Sequence, residues 1–160
     1  MASSEKNLSD VNVPQSVDFG NTKISIVVSR WNEEVTEALY SGAIQTLLGA
    51  GVKRENIQRS NVPGSFELTL ASQWSAEKDD IDAVICLGCV IQGETKHFDF
   101  ICDAVANGIT NVSLKFNKPV IFGVLTPNTL KQALDRAGGK HGNKGDEAAA
   151  TALEMLSIKH

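Results

Sequence analysis

The sequence predicts a single α/β domain of three layers, α/β/α, on a four-stranded parallel sheet, with an N-terminal arm ahead of it. Four apolar, β-branched runs recur along the chain, and a stretch of helical periodicity follows each. That alternation yields a parallel sheet covered on both faces. With 160 residues, 42% apolar and 21% charged, the chain can bury one substantial core and has an ordinary globular composition. The first 20 residues are polar and turn-rich, which makes residues 1–20 an arm and residues 21–160 the domain.

"KISIVVS" (Lys23 to Ser29) is the first strand, apolar enough to be buried on both faces. A helix follows from about Asn32, which can cap it. Glu33 and Glu34 complement its positive end, Val35, Leu39, Ala43, Leu47 and Leu48 recur at helical spacing, and Gly51 closes it. "NIQRSNV" (Asn56 to Val62) is a weaker strand, and Pro63 and Gly64 turn it into a helix. Ala83 to Ile91 is the strongest apolar run. The helix after it carries Phe98, Ile101, Cys102, Val105, Ile109 and Val112 on one side. Pro119 to Leu125 is the fourth strand. Thr126 is expected to cap the next helix, with Pro127 at its first position. "GGKHGNKG" (Gly138 to Gly145) breaks that helix before a last one over "DEAAATALEMLSI". In the arm, Val11-Asn12-Val13 reads as a short extended piece suited to adding to a neighbour's sheet edge.

Composition narrows the function. No apolar run approaches the roughly 18 residues of a membrane span. The start lacks the basic and apolar regions of a secretory signal, so a cytoplasmic protein without a membrane partner is expected. A net charge of −4 with no basic stripe argues against nucleic acid. Cys86, Cys89 and Cys102 suggest no disulfide framework. The C-x-x-C at Cys86 lies within a strand pattern, which separates its α-carbons by roughly 10 Å, beyond the about 7 Å a disulfide tolerates. No further ligands follow at zinc spacing, so neither metal nor cofactor is expected.

Ligands of parallel α/β sheets bind beyond the carboxyl ends of the strands, so the segments there carry the chemistry. Trp31 follows the first strand, where it can stack on a planar ring or sit half-buried in the core. After the second strand, Ser65, Phe66 and Glu67 can hold a polyhydroxylated ligand or simply cap a helix. After the third, Gly93, Glu94 and Thr95 lead into a helix whose N–H groups suit an anion, although the Glu94 carboxylate itself would repel one. His97 stands at that positive helix end. It is expected to be neutral at pH 7 and ready to accept a proton, or else to be a solvent-facing first-turn residue. After the fourth strand come Phe122 and Thr126, then Arg136 near a helix end that stabilises a cation whatever the function. Lys140 and Lys144 in the glycine-rich break have no such structural reason. No G-x-G-x-x-G follows a strand, and no G-x-x-x-x-G-K-[ST], G-x-S-x-G or H-E-x-x-H is present. Dinucleotide binding, nucleotide hydrolysis and serine hydrolysis lose support.

Taken together, "SRWNEE", "VPGSFELT", "LGCVIQGETKHFDFI", "PVIFGVLT" and "DRAGGKHGNKG" resemble, in order and over nearly the whole chain from Lys23 onward, the lumazine synthase (6,7-dimethyl-8-ribityllumazine synthase) family. The resemblance implies a flavodoxin-like fold. It also implies a transferase of riboflavin biosynthesis that joins 5-amino-6-(D-ribitylamino)uracil to 3,4-dihydroxy-2-butanone 4-phosphate, releasing phosphate and water. It makes His97 the proton-transfer residue. Trp31 would stack on the pyrimidine, Ser65, Phe66 and Glu67 would hold the ribityl chain and ring edge, and the backbone of Cys89, Val90 and Ile91 would bond the ring. Cys89 stands where threonine is common. Glu94, Thr95 and Arg136 would take the phosphate. Phe122 would close the ring site from a neighbouring subunit, and Lys144 would reach the ribityl chain. The resemblance further implies a homo-oligomeric pentamer. The compact break at 138–145 favours twelve pentamers in a sixty-subunit icosahedral shell, with riboflavin synthase a candidate partner. A non-catalytic flavin-binding or signalling module of the same architecture is the rival reading; it would use Trp31 and Phe122 without needing His97 or Arg136.

Overall fold

A computed structural model describes residues 6–159. The elements run β1 (Ile24–Ser29), α1 (Glu33–Gly49), a 3-10 turn (Arg54–Asn56), β2 (Ile57–Val62), α2 (Leu68–Ala76), β3 (Ala83–Cys89), α3 (His97–Phe116), β4 (Val120–Leu125), α4 (Leu130–Asp135), β5 (Ala137–Gly139), β6 (Gly142–Asn143) and α5 (Lys144–Lys159). The main sheet is four-stranded in the order β2-β1-β3-β4, every pairing parallel. The three-layer α/β fold with a flavodoxin-like sheet is therefore as the sequence predicts.

Strand alternation divides the interior into two cores. Ile24, Ile26 and Val28 of β1 with Ile85, Leu87 and Cys89 of β3 pack against α1 and α5. Val27, Val84 and Cys86 face the other way, against α2 and α3. Both central strands are buried along their whole length, as period-two side chains between two helix layers must be. Cys86 and Cys89, three residues apart, consequently lie on opposite faces of β3, and both are free. Burial pushes each thiol up to about 12, so they are packing residues rather than a redox pair.

The edge strand β2 buries little besides Val62. It is tied to α1 by Arg59, which donates through Nη1 to Glu37 at 3.0 Å and stacks over the Tyr40 ring at 4.1 Å. That hydrogen bond holds the Glu37 carboxyl below its usual range. Its contribution is therefore present above the unfolded carboxylate pKa and fades as pH falls through the folded value. The pair is solvent-accessible and small in effect.

Three boundaries differ from expectation. β3 ends at Cys89 rather than Ile91, although Val90 N–H still donates to Leu125 C=O and Gln92 N–H to Pro127 C=O. The cap of α4 is Thr129, not Thr126: its hydroxyl accepts from Gln132 N–H at 3.2 Å, and the Gln132 side chain reaches back to Asn128 N–H. Pro127 thus precedes the helix, its carbonyl engaged by Gln92. Thr129→Ala is expected to lower stability by about 1 kcal/mol in urea denaturation, with Thr126→Ala changing it by less than about 0.5 kcal/mol. A larger loss at Thr126 would contradict this cap.

The third difference is the glycine-rich break, which forms a small antiparallel hairpin, β5 with β6. Gly138 and Gly142 take left-handed φ values there, and α5 starts at Lys144. Gly145 then lets α5 cross α1 closely, since a Cβ there would lie 1.9 Å from Leu39 O. Buried Asn143 locks the crossing. It donates to Ala38 C=O and accepts from Gly145 N–H. The arm lies along this hairpin: Leu8 N–H donates to His141 C=O, and Ser9 Oγ accepts from Asn143 N–H. Residues 11–13 carry no strand pairing within the chain. Val13 and Val17 pack on the α1-side core, and Phe19 is buried.

Candidate active site

The strand order reverses between β1 and β3, and the carboxyl ends of those strands open a cleft of about 410 Å³. An open α/β sheet offers a ligand crevice at such a switch point, and the volume suits a small ring-bearing ligand. Trp31, Ser65, Phe66, Glu67, Cys89, Val90, Ile91, Thr95 and His97 all line it. Trp31 is 72% exposed and Phe66 53%. The half-buried core reading of Trp31 is therefore excluded, and two aromatic faces are open for stacking.

Local folding explains how these groups come together. Asn32 sits at the cap position of α1 in a left-handed conformation and makes no side-chain cap. Its Nδ2 instead donates to Cys89 C=O at 2.9 Å, joining the ends of β1 and β3. Glu67 Oε2 accepts from Gly64 N–H at 3.0 Å, closing the turn before α2. Ser65 caps nothing: its hydroxyl is buried without a partner. At the start of α3, Thr95 Oγ1 accepts from His97 N–H in a long 3.4 Å contact, and His97 is exposed. Glu94 is exposed and lines neither this cleft nor the next. Two of the backbone groups read as ring contacts are already engaged in the chain, the Cys89 carbonyl and the Val90 N–H.

Phe122, Arg136 and Lys144 are not in this cleft. They line a second one, of about 400 Å³, beyond β4 and α4, together with Leu8, Thr126 and Gln132. The two clefts share no lining residue. Lys144 Nζ donates to Glu147 at 2.5 Å. Among the described residues no acid pairs with the Arg136 guanidinium. Glu94 apart, the sequence-predicted residues therefore fall into two separate clefts of one chain, with no wall residue in common.

The description "6,7-dimethyl-8-ribityllumazine synthase" belongs to the family whose pattern matches residues 21–160. The chain belongs to that family. A relative with this name from Cytophaga hutchinsonii is 62% identical over 157 residues, covering 98% of each chain. Those from Porphyromonas gingivalis and Parabacteroides distasonis are 52% and 50% identical, each over 99% of both chains. Membership of the lumazine synthase family makes the chain a transferase. Against the residues assigned by resemblance, the first cleft adds Phe98 and Ile101 to its wall. Sequence periodicity had placed both on the apolar side of α3. Their position in its first two turns, beside His97, is the signal that they border a site at the helix start.

Proposed function

We propose that this lumazine synthase family member condenses 5-amino-6-(D-ribitylamino)uracil with 3,4-dihydroxy-2-butanone 4-phosphate to give 6,7-dimethyl-8-ribityllumazine, phosphate and water. The observation that carries the reading is the switch-point cleft, where an open tryptophan, a Ser-Phe-Glu turn and a histidine at a helix start meet. Trp31 stacks on the pyrimidine. Ser65, Phe66 and Glu67 hold the ribityl chain, and the Ile91 amide and the strand-end carbonyls, which accept twice, meet the ring's polar edge. The uracil's amine forms an imine with the ketone, losing water; phosphate is eliminated; ring closure loses water again. Each step moves protons near neutrality, the work His97 is placed to do. The leaving phosphate is met by the backbone and hydroxyl of Thr95, the Glu94 main chain and the guanidinium fork of Arg136. Holding two substrates together supplies much of the rate.

Arg136, Phe122 and Lys144 serve the cleft of a neighbouring copy. Two dissimilar patches that complete one site make a head-to-tail interface, which gives a ring when the rotation between copies closes. The ring proposed here is the pentamer of the family, with the short β5–β6 hairpin compatible with assembly into the icosahedral shell. Light scattering at neutral pH in phosphate is expected to find the shell. A lone pentamer would remove the shell only, and a monomer would remove the shared site as well. Activity is tested by mixing the two substrates and following the lumazine chromophore and phosphate release together. Flavin binding without either product would favour the non-catalytic rival.

A further inference from the structure

Arg136 is carried by a very small helix. α4 has six residues, and Ala133 is its one buried side chain. A helix this short is marginal without outside support, and Arg136 stands just past its end. The support comes from the β5–β6 hairpin and the start of α5. His141 N–H donates to Asp135 C=O at 2.7 Å, and Lys144 N–H donates to Arg136 C=O at 2.8 Å. The carbonyls of Arg136 and of the residue before it are thus both held from that side.

The hairpin is held in turn by the arm. Asp10 N–H donates to Asn7 C=O at 3.1 Å, closing a turn over residues 7–10, and Asn7 Oδ1 accepts from Ser9 N–H at 2.9 Å. From that turn Leu8 N–H donates to His141 C=O at 2.7 Å, and Ser9 Oγ accepts from Asn143 N–H at 2.9 Å. The seat is close enough to require glycine. Gly142 is buried with φ 80°, and a Cβ there would lie 2.6 Å from Ser9 N and 2.8 Å from Leu8 N. Two relays therefore run from the arm to Arg136. One passes from Leu8 through His141 to Asp135, the other from Ser9 through Asn143 and its neighbour Lys144 to the Arg136 carbonyl. Leu8 and Arg136 also line the same cleft.

We propose that the Asn7-Leu8-Ser9 turn of the arm is a clip that positions Arg136 for the phosphate of the phosphorylated substrate, with Ser9 its principal positioning residue. A guanidinium fork makes two parallel bonds to an anion only when its plane is correctly set. Loosening the hairpin therefore lowers phosphate affinity although the charge stays in place. The inference rests on the reading that Arg136 meets the phosphate. It adds an arm residue that acts through the backbone and touches neither substrate.

The test is calorimetric titration with inorganic phosphate and with an aminouracil lacking the sugar chain. Ser9→Ala removes the acceptor for Asn143 N–H and is expected to weaken phosphate about three- to ten-fold, the size of one net hydrogen bond. Ser9 is exposed, so the fold should hold. Ser9→Thr keeps a hydroxyl and should restore wild-type affinity. Leu8→Pro removes the donor to His141 at the second position of the turn, which proline suits, and should weaken phosphate by a similar factor. Leu8→Ala keeps that N–H and should not. Affinity for the chain-free ring should be unchanged throughout, and Ser9→Ala should cost nothing more once Arg136 is alanine. Unchanged phosphate affinity in Ser9→Ala, no recovery with threonine, equal loss in Leu8→Ala, equal loss on the ring, or a full further loss in the double variant would each overturn the clip while leaving the functional reading intact. Unchanged phosphate affinity in Arg136→Ala would overturn both the clip and the phosphate role of Arg136.

Discussion

Arg136→Ala is expected to weaken binding of the phosphorylated ketone and of inorganic phosphate by roughly 10- to 150-fold, with the uracil substrate little affected. A charge-assisted hydrogen bond contributes about 1.5–3 kcal/mol, which sets that range. Arg136 is half-buried in the second cleft and has no acid partner among the described residues, so its fork is available to an anion. The competing explanation is that a cation at the end of α4 is favoured whatever the function. Arg136→Lys separates the two. It keeps the charge at the helix end but loses the planar bidentate fork, so a ligand role predicts only partial recovery of phosphate affinity. Titrations with phosphate and with each substrate decide. Full recovery with lysine, or equal weakening of both substrates by alanine, would assign Arg136 to the helix alone.

Features set by local chemistry were readable from the chain, and features set by distant contacts were not. β1 and β3 were legible because strands buried on both faces are continuous apolar runs, and the same period-two geometry put Cys86 and Cys89 on opposite faces. Thr126-Pro127 has the composition of a helix start, yet the α4 cap is Thr129. The ladder from β3 continues past Thr126, with Gln92 bonding Pro127, and pushes the cap on to Thr129. The hairpin at Ala137–Asn143 has only the composition of a plain break, because its place is set by contacts with the arm and with α1, through His141 and Asn143. At the site, the strand-end rule located Trp31, Ser65 and His97 in one cleft. It could not show that Ser65 would cap nothing, nor that Asn32 would reach across to Cys89. The separation of Phe122, Arg136 and Lys144 follows from β4 being an edge strand, a property of sheet order rather than of any local pattern.

His97→Ala is expected to slow turnover by about 10²-fold while leaving the KM for both substrates nearly unchanged. General acid–base groups contribute about 10²–10⁴-fold, and the low end applies because some of these proton transfers can pass through water. Steady-state kinetics on lumazine formation reads this directly, and wild-type turnover would remove His97 from the chemistry. The variant also tests the shared site. His97→Ala spoils the switch-point cleft but keeps Arg136, and Arg136→Ala does the reverse. If each working site draws one half from each of two copies in a ring, dissociating the two variants and reassembling them in equal amounts makes some sites with both halves intact. Random head-to-tail placement gives about a quarter of all sites that composition. Activity at low phosphorylated ketone should therefore recover to about a quarter of the wild-type level, far above either variant alone. Recovery requires the halves to come from different chains. Without it, His97 and Arg136 would have to act within the same subunit, and the ring would lose its chemical reason.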